Sequence, residues 1–435
     1  MAQYRKDTHQ YLPDGKTIFE VVMLADQDGN AIPSPGNPTG TAVDAFGRAR
    51  VSQPFTLLDS FHRFADNGKI NTANTAGGTY AWNANTASID CTVSTLSGAS
   101  VYRESKKVLA YQPGKSLLIL TTFVMNPAQN NLRQRIGIFG VNNGFFLENS
   151  DDVYFVKRSS ITGSAVDTKV SYSNWNVDAM DGNGPSGIVL DLTKPQILWI
   201  DVEWLGVGSV RLGFVINGQF IHCHTFHHAN IGPLGAYMQT ACLPMRMEIE
   251  NTGTTASSST YKQICTTAIS EGGYELSGKR RIASTSVLAA NTVQCVSAGT
   301  FYPVVSIRLH ANTLDSIVVP KQITVLPVNQ ANYQWKIVNN PTINGAVWAN
   351  AASDSTVQYN TNTSATMTGG DVLDTGFITS TVQAGGSVNL NGDGMFKYQL
   401  ERNSFTNTAT IFTLAVACGT ATSNVAGAVA WEEIT

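Results

Sequence analysis

Apolar and polar residues alternate along most of the chain with the two-residue period of a half-buried β-strand. Residues 116–125 differ, because there the run of apolar and β-branched residues is almost continuous, which predicts a strand buried on both faces. No long stretch places apolar residues at the three- and four-residue spacing of an amphipathic helix between good capping residues. The pattern therefore predicts an all-β protein.

Short predicted strands follow one another along the whole chain. They lie at 17–24, 116–125, 135–139, 144–147, 152–157, 196–204, 209–216, 219–226, 244–250, 262–270, 302–309, 316–326, 333–339, 346–350, 376–382, 395–402, 408–417 and 425–431. The dipeptide Asn217-Gly218 is the strongest turn signal among them, because both residues tolerate the positive φ of a type I′ hairpin. Strands of this length and spacing are typical of a β-sandwich or jelly roll.

Two breaks in the pattern divide the chain. Residues 27–45 are rich in Pro and Gly, and 271–279 is a Gly-rich, charged segment in a charge-poor sequence. We therefore predict an N-terminal β arm with its connection at 1–43, a jelly-roll β-sandwich at 44–275 and a second, smaller β-sandwich at 276–435. The arm is either free to pair with an edge strand of a neighbouring molecule or is the first strand of the first sandwich.

The composition favours association with other protein surfaces. Of the 435 residues 43% are hydrophobic, enough for a core, but only 14% are charged, against about 25% in ordinary soluble proteins. A polar surface with few charges offers little repulsion between copies of the molecule. The net charge is −3, and the densest basic cluster is Lys279-Arg280-Arg281, so nucleic acid is not an expected partner.

The N-terminal sequence Met-Ala-Gln-Tyr-Arg-Lys lacks the apolar core of a signal peptide, and no apolar run approaches the roughly 20 residues of a membrane span. We expect a chain made in a cytoplasm and not inserted in a membrane. The cysteines are scattered without a CxxC pair, and although an even number permits disulfides, we interpret them as mostly buried thiols. They are Cys91, Cys223, Cys242, Cys265, Cys295 and Cys418.

Three stretches carry a resemblance to a known family. They are DAFGRARVSQPFTLLDS at 44–60, DVEWLGVGSVRLGF at 201–214, and HHAN at 227–230 followed by LPMRMEIEN at 243–251. Together they resemble structural proteins of tailed phages, especially phages of marine and freshwater bacteria. The alternating hairpins also look like a concanavalin-type jelly roll, with central strands within 135–146 and 196–220.

The resemblance implies a virion component of the tail, baseplate, fibre or capsid surface. The expected partners are copies of the chain itself, with a trimer as the first expectation, and other capsid or tail proteins. It implies no catalytic residue, so we expect neither enzymatic activity nor a cofactor. The alternative is a lectin-like tail protein that recognises host surface glycans.

A third hypothesis is a polysaccharide hydrolase, which needs paired carboxylates across a groove. Glu203 with Glu248 or Glu250 is the candidate pair, and Trp204 could stack on a sugar. The competing interpretation is that these strand carboxylates face solvent or pair with Arg211 and Arg246. No spacing among them is diagnostic of catalysis.

The remaining candidates are histidines and tryptophans. His222 and His224 stand two residues apart on a predicted strand and would share one face, as two ligands of a metal require. The alternative is a strand end whose histidines are hydrogen-bonded at an interface, and we predict no metal.

Candidates for an interface or a glycan surface are Trp82, Trp204, His227, His228 and Trp348. Trp82, Trp175, Trp335, Trp348 and Trp431 could also form sugar-stacking platforms, although such large rings are more often core or interface residues. Asp26-Gln27-Asp28-Gly29-Asn30 has the alternating oxygens of a calcium loop but lacks the later glutamate, so we interpret it as a turn.

Overall fold

The computed structural model describes residues 53–231, 235–288, 291–380, 386–390 and 396–434, and the backbone of two short strands before residue 21. These strands, β1 (His9–Tyr11) and β2 (Ile18–Glu20), pair with each other in antiparallel register. The predicted Asp26–Asn30 turn and the Pro/Gly-rich connection lie outside the described residues. Residues 54–435 form one compact unit.

The described chain is all-β, and a short 3₁₀ helix lies at Tyr172–Asn174. The strands up to residue 270 are β3 (Phe55–Phe61), β4 (Ile70–Asn74), β5 (Gly78–Asn83), β6 (Ser88–Val93), β7 (Ser100–Ser105), β8 (Leu117–Val124), β9 (Leu132–Phe139), β10 (Gly144–Asn149), β11 (Val153–Ser159), β12 (Val166–Ser171), β13 (Gln196–Val202), β14 (Val210–Ile216), β15 (Gln219–Phe226), β16 (Met245–Asn251) and β17 (Ser259–Ser270).

The later strands are β18 (Lys279–Ser284), β19 (Val293–Cys295), β20 (Tyr302–Leu309), β21 (Ile317–Pro327), β22 (Ala331–Asn339), β23 (Thr342–Asn344), β24 (Ala349–Asn350), β25 (Val357–Asn360), β26 (Thr366–Thr368), β27 (Asp371–Ser380), β28 (Gly386–Asn389), β29 (Arg402–Asn403), β30 (Thr408–Ala409), β31 (Phe412–Cys418) and β32 (Ser423–Ile434).

Two antiparallel sheets enclose the first core. One has the order β12-β11-β10-β9-β16-β7-β4 and the other the order β15-β14-β13-β8-β17-β6-β5, with β3 paired to β17. Alternate residues of each strand enter the core, so Ile119 and Phe123 of β8 are fully buried in the same cluster as Ile136 and Phe145. The opposite face of β8 is half-buried, so the prediction of a strand buried on both faces was wrong.

A second, smaller sandwich follows. Its five-stranded sheet has the order β18-β32-β21-β28 with β19 on β32, and its six-stranded sheet has the order β24-β25-β20-β31-β22-β27. Trp431, Tyr333 and Phe412 are almost completely buried in its core. The predicted fold class, an all-β jelly-roll sandwich followed by a smaller β-sandwich, is confirmed.

An apolar cluster joins the two sandwiches. The ring of Tyr274 packs edge-on against Phe396 with centroids 4.7 Å apart, and Phe55 contacts both rings. Val108 and Val319 are buried in the same group, which we call the interface cluster. The chain boundaries at residues 44 and 275 stay predictions.

Local predictions succeed where turn chemistry decides the structure. Asn217 and Gly218 have φ values of 53° and 77°, as a type I′ turn requires, and they join β14 to β15. The predicted strand at 395–402 was wrong, because among its described residues only Arg402 belongs to a strand. Tyr398 and Leu400 are buried there although they do not belong to a strand. Burial of every second residue gives the same sequence pattern as a half-buried strand.

The interpretation of the cysteines was partly wrong. Cys295 of β19 and Cys418 of β31 form a disulfide across a sequence separation of 123 residues. Cys91 and Cys223 are buried thiols, as expected, whereas Cys265 is exposed. Spacing could not reveal the disulfide, because only the second sandwich brings these two strand ends together.

Candidate functional site

The outer surface of the seven-stranded sheet carries a connected row of ionised side chains. Arg135 lies opposite Glu148 on one neighbouring strand and opposite Glu248 on the other. Its Nε donates to Glu148 Oε2 at 2.6 Å and its Nη1 to Glu248 Oε2 at 3.4 Å. Arg246 continues the row, donating to Glu248 Oε1 at 2.7 Å and to Glu104 Oε2 at 2.6 Å. We call these five residues the ionic face.

This ionic face lies over aromatic rings. Phe139 and Phe146 are fully buried, with centroids 4.4 Å apart. The Arg135 guanidinium carbon lies 5.2 Å from the Phe146 centroid, and that of Arg158 lies 5.1 Å from it on the same outer surface. Cation–π attraction and burial therefore hold the guanidinium groups in place.

The carboxylate of Glu148 remains ionised despite full burial. Burial alone would raise its pKa, but the charge of Arg135 and the ammonium of Lys169, 2.5 Å from Oε1, outweigh this and lower the pKa. An ionised carboxylate only accepts hydrogen bonds, so Glu148 has no proton to give to a leaving group.

The acidic residues considered for hydrolysis are separated. Glu248 pairs with Arg246, as the competing interpretation proposed, and Glu250 lies 2.5 Å from Arg133 Nη2. Glu203 follows β13 in the other sheet and is exposed. Arg211 pairs with Asp201 and not with a predicted glutamate. The structure does not bring Glu203 and Glu248 together as a catalytic pair.

A polar cleft of about 610 Å³ adjoins one end of the ionic face. Asn130, Arg133 and Ser150 line it, together with Glu148 and Lys169. Glu148 is held by an ion pair with Lys169, and Arg133 is held by an ion pair with Glu250. The cleft therefore offers hydrogen-bonding groups but no free charge from Glu148 or Arg133.

The prediction that His222 and His224 share one face was wrong. The pairing of β14 and β15 shifts between Leu212 and Gly213, which makes Cys223 an extra residue on β15. His222 therefore packs against Trp199 on the outer surface, with ring centroids 5.7 Å apart. His224 instead lies 4.6 Å from Phe226 in the core, and burial lowers its pKa to about 4.

His228 is buried in a defined protonation state. Its ring stacks on Tyr237 at 3.5 Å, Nδ1 lies 2.8 Å from the Gly208 carbonyl, and Nε2 lies 3.3 Å from Lys157 Nζ. A proton on Nδ1 and a free electron pair on Nε2 satisfy both partners. Burial, followed by the charge of Lys157, lowers the pKa to about 4. His227 is exposed and contacts Ser209.

The candidate tryptophans are dispersed. Trp82 is 39% exposed on edge strand β5, and its Nε1 donates to the His62 carbonyl at 2.7 Å. Trp204 is half-buried against Tyr111 beside the first core. Trp348 is half-buried beneath Arg308, whose guanidinium carbon lies 4.1 Å from the ring centroid. No common surface joins these three tryptophans. Trp175 is buried in the core of the first sandwich, and Trp335 and Trp431 are buried in that of the second, so for these three the core interpretation holds.

The ionic face was not predicted from the sequence. Its signal is the alternation of charged and uncharged residues in Arg133-Gln134-Arg135-Ile136 and Met245-Arg246-Met247-Glu248. Alternation alone predicts a solvent-exposed face of a sheet. It does not show which charged residues lie opposite each other on neighbouring strands.

Among the described residues, no group of three or more His, Cys, Asp or Glu side chains is arranged to hold a metal ion. Nor does the described part of the chain contain a helix with the length and apolar character of a membrane span.

No family model and no curated protein matches the sequence. Several solved structures share part of the architecture. Arcelin-5, a lectin-like defense protein from Phaseolus vulgaris, is 9% identical with a TM-score of 0.30, over 51% of this chain and 100% of its own. A lectin from Bauhinia forficata in complex with GalNAc is 10% identical with a TM-score of 0.30, over 51% and 100%. A Bacteroides ovatus GH16 protein is 8% identical with a TM-score of 0.32, over 49% and 99%.

Proposed function

We propose that the chain is a non-catalytic structural subunit that assembles with copies of itself, in the virion of a tailed phage as the sequence resemblance implied. The observation that carries the assembly proposal is the exposed edge strand β27. It has ten residues and, among the described strands, pairs only with β22. Its outer backbone groups are therefore open to a further strand.

The apolar side chains of β27 add to this edge. Phe377 is 77% exposed, Val372 is 52% exposed and Leu373 is 38% exposed. Edge strands of monomers are usually short or charged, because a long apolar edge invites pairing. Residues 375–379 contain no charge, so nothing in that stretch opposes a partner strand.

A second copy fits this edge by symmetry. If two β27 strands pair in antiparallel register about Phe377, Thr375 lies opposite Thr379 and Asp374 lies opposite Ser380. Like charges are then kept apart, and the contact is the same surface on both molecules, as a twofold interface requires. The contact joins two copies, so the trimer expected from the sequence would need a different interface.

The neutralised ionic face supports the absence of catalysis. Glu104, Glu148 and Glu248 each contact at least one cationic side chain of the same chain. A general acid–base pair needs one protonated and one free carboxyl group. Turnover of a polysaccharide by the purified chain would contradict this part of the proposal.

Light scattering coupled to size-exclusion chromatography tests assembly. We expect the natural chain to form an oligomer and Phe377→Asp to shift it to smaller species. Val347→Asp is the matched control, because Val347 is 67% exposed in the same sandwich but lies outside β27. A monomer at all concentrations, or equal effects of the two variants, would refute pairing through this edge.

The position in a virion needs a separate test. Antibodies against the chain should label intact phage particles released from the producing cells, as seen by immunogold electron microscopy. Label restricted to soluble protein would count against the virion assignment. Glycan binding, the alternative from the sequence, is compatible with a structural subunit that carries a ligand pocket on another surface.

A further inference from the structure

A pocket of about 480 Å³ lies on the outer surface of the eight-stranded sheet, on the other side of the core from the ionic face. Its walls come from β8, β13, β14 and β15 and from Glu271, which follows β17. We call it the aromatic pocket and define it by Trp199, Asp201, Arg211, Phe220 and His222. Its volume lies in the range of about 300–1,000 Å³ that small-molecule sites typically have.

A glycine and a β-bulge build this pocket. Trp199 lies directly opposite Gly213, and a Cβ atom at Gly213 would come within 2.8 Å of the indole Nε1. The missing side chain lets the indole lie across β14 and donate to the Ile221 carbonyl at 3.2 Å. The bulge at Gly213 places His222 beside the indole and away from the core.

The apolar wall has a buried base and an exposed rim. Trp199 is 5% exposed, whereas Phe220 is 54% exposed. Their ring centroids are 5.7 Å apart at an interplanar angle of 62°. The flat rings expose negative π faces, which attract the weakly positive C–H groups of a ligand.

The polar side of the pocket contains an incompletely satisfied carboxylate. Asp201 is 8% exposed and accepts a hydrogen bond from Arg211, but its Oδ1 has no hydrogen-bond partner. A buried acceptor without a donor is costly, so a donor from a ligand would be stabilising there. The Arg211 side chain is 58% exposed, so a ligand can reach the Asp201–Arg211 pair from the solvent.

We propose that the aromatic pocket binds one pyranose residue of a neutral saccharide. The C–H face of the sugar would stack on Phe220, and its hydroxyl groups would donate to Asp201 and accept from Arg211. Each hydroxyl both donates and accepts, which suits an ion pair that presents one acceptor and one donor. The Asp201–Arg211 pair balances its own charge, and the carboxylate of Glu271 in the same lining disfavours an anionic ligand. This site goes beyond the assembly function and lies away from β27.

Saturation-transfer NMR with the full chain tests the proposal, using methyl α-mannoside, methyl α-glucoside, methyl β-galactoside and N-acetylglucosamine as probes at millimolar concentration. We expect one or more of these sugars to bind and to change the tryptophan fluorescence of the chain. Phe220→Ala should weaken binding about tenfold, and Phe220→Trp should restore it. Asp201→Asn should also weaken binding.

Phe64→Ala is the matched control, because Phe64 is 76% exposed outside the pocket and its variant should bind as the natural chain does. Three results would overturn the proposal. These are no binding of any probe, unchanged affinity in Phe220→Ala, and binding of benzylamine without binding of a sugar. Light scattering of the same samples keeps the outcome separate from assembly, since Phe220→Ala should leave the oligomer unchanged.

Discussion

Glu104 of the first sandwich and Arg402 of the second form a buried ion pair. Arg402 Nη2 lies 2.7 Å from Glu104 Oε1, and the two side chains are only 2% and 1% exposed. Arg402 Nη1 also donates to the Ser105 carbonyl at 2.7 Å. Since Glu104 is also held by Arg246, one end of the ionic face is continuous with the contact between the sandwiches.

Replacing Arg402 with Met should lower the free energy of unfolding by about 3–5 kcal/mol, because Glu104 would remain buried with one cationic partner fewer. Urea unfolding followed by circular dichroism measures this. Lys279→Ala, which breaks an exposed ion pair with Asp354, is the control and should leave the urea midpoint nearly unchanged. Equal losses in the two variants would show that the buried pair contributes little.

Gly213→Ala should destabilise the first sandwich by about 1–3 kcal/mol, because the added methyl group meets the Trp199 indole and the Ile221 carbonyl. The tryptophan emission spectrum should change with it. Gly140→Ala serves as the control, since the nearest atom to its added Cβ lies at an ordinary 3.8 Å. Unchanged unfolding in Gly213→Ala would refute the close contact.

Acid should weaken the first sandwich through its buried histidines. Burial lowers the pKa of His224 and of His228 to about 4 from the ordinary 6.5, so the unfolded chain binds more protons than the folded chain between these values. Their contribution is fully present above pH 6.5 and is lost as the pH falls toward 4, on the order of 3 kcal/mol per histidine.

Thermal unfolding between pH 7 and pH 4 checks this effect. His228→Gln should reduce the loss of stability on acidification, since the variant has no imidazole to protonate at that position. His227→Gln, at the exposed neighbouring position, should keep the full acid sensitivity. If both variants lose as much stability as the natural chain, His228 is not a source of the acid sensitivity.

Thiol counting tests the disulfide. Alkylation of the denatured chain without reductant should label four cysteines, because Cys295 and Cys418 are joined. In the folded chain, exposed Cys265 should react first, whereas burial raises the pKa of Cys91 to about 12 and excludes reagent. Mass spectrometry locates the labels. Six labelled cysteines before reduction would contradict the disulfide.

The fold could be predicted largely from local pattern. Asn217-Gly218 fixed one hairpin because both residues accept positive φ, and β20 spans residues 302–309 as the alternation indicated. The stretch at Tyr398 and Leu400 failed because burial against a neighbouring element produces the same alternation as a strand. The local sequence pattern shows that every second residue is buried, but it does not show which part of the chain packs against these residues.

The candidate sites were harder to predict, because they depend on register. A single bulge beside Gly213 places His222 and His224 on opposite faces of the sheet. The residue types near it do not predict this bulge. The Arg135–Glu148 pair likewise exists only because β9 and β10 align at those residues. The sequence shows the alternation of charges on each strand, but the long-range pairing of the strands decides which charged residues form ion pairs.

The interface cluster has a practical consequence for dissecting the molecule. Phe55, Tyr274 and Phe396 come from widely separated parts of the chain, so cutting the gene near codon 275 would strip apolar cover from both fragments. The recombinant halves would then tend to aggregate. Antibodies raised against them would recognise surfaces that are buried in the intact protein. Tags and labels belong instead in the solvent-facing loop at 161–165, where an added segment displaces nothing.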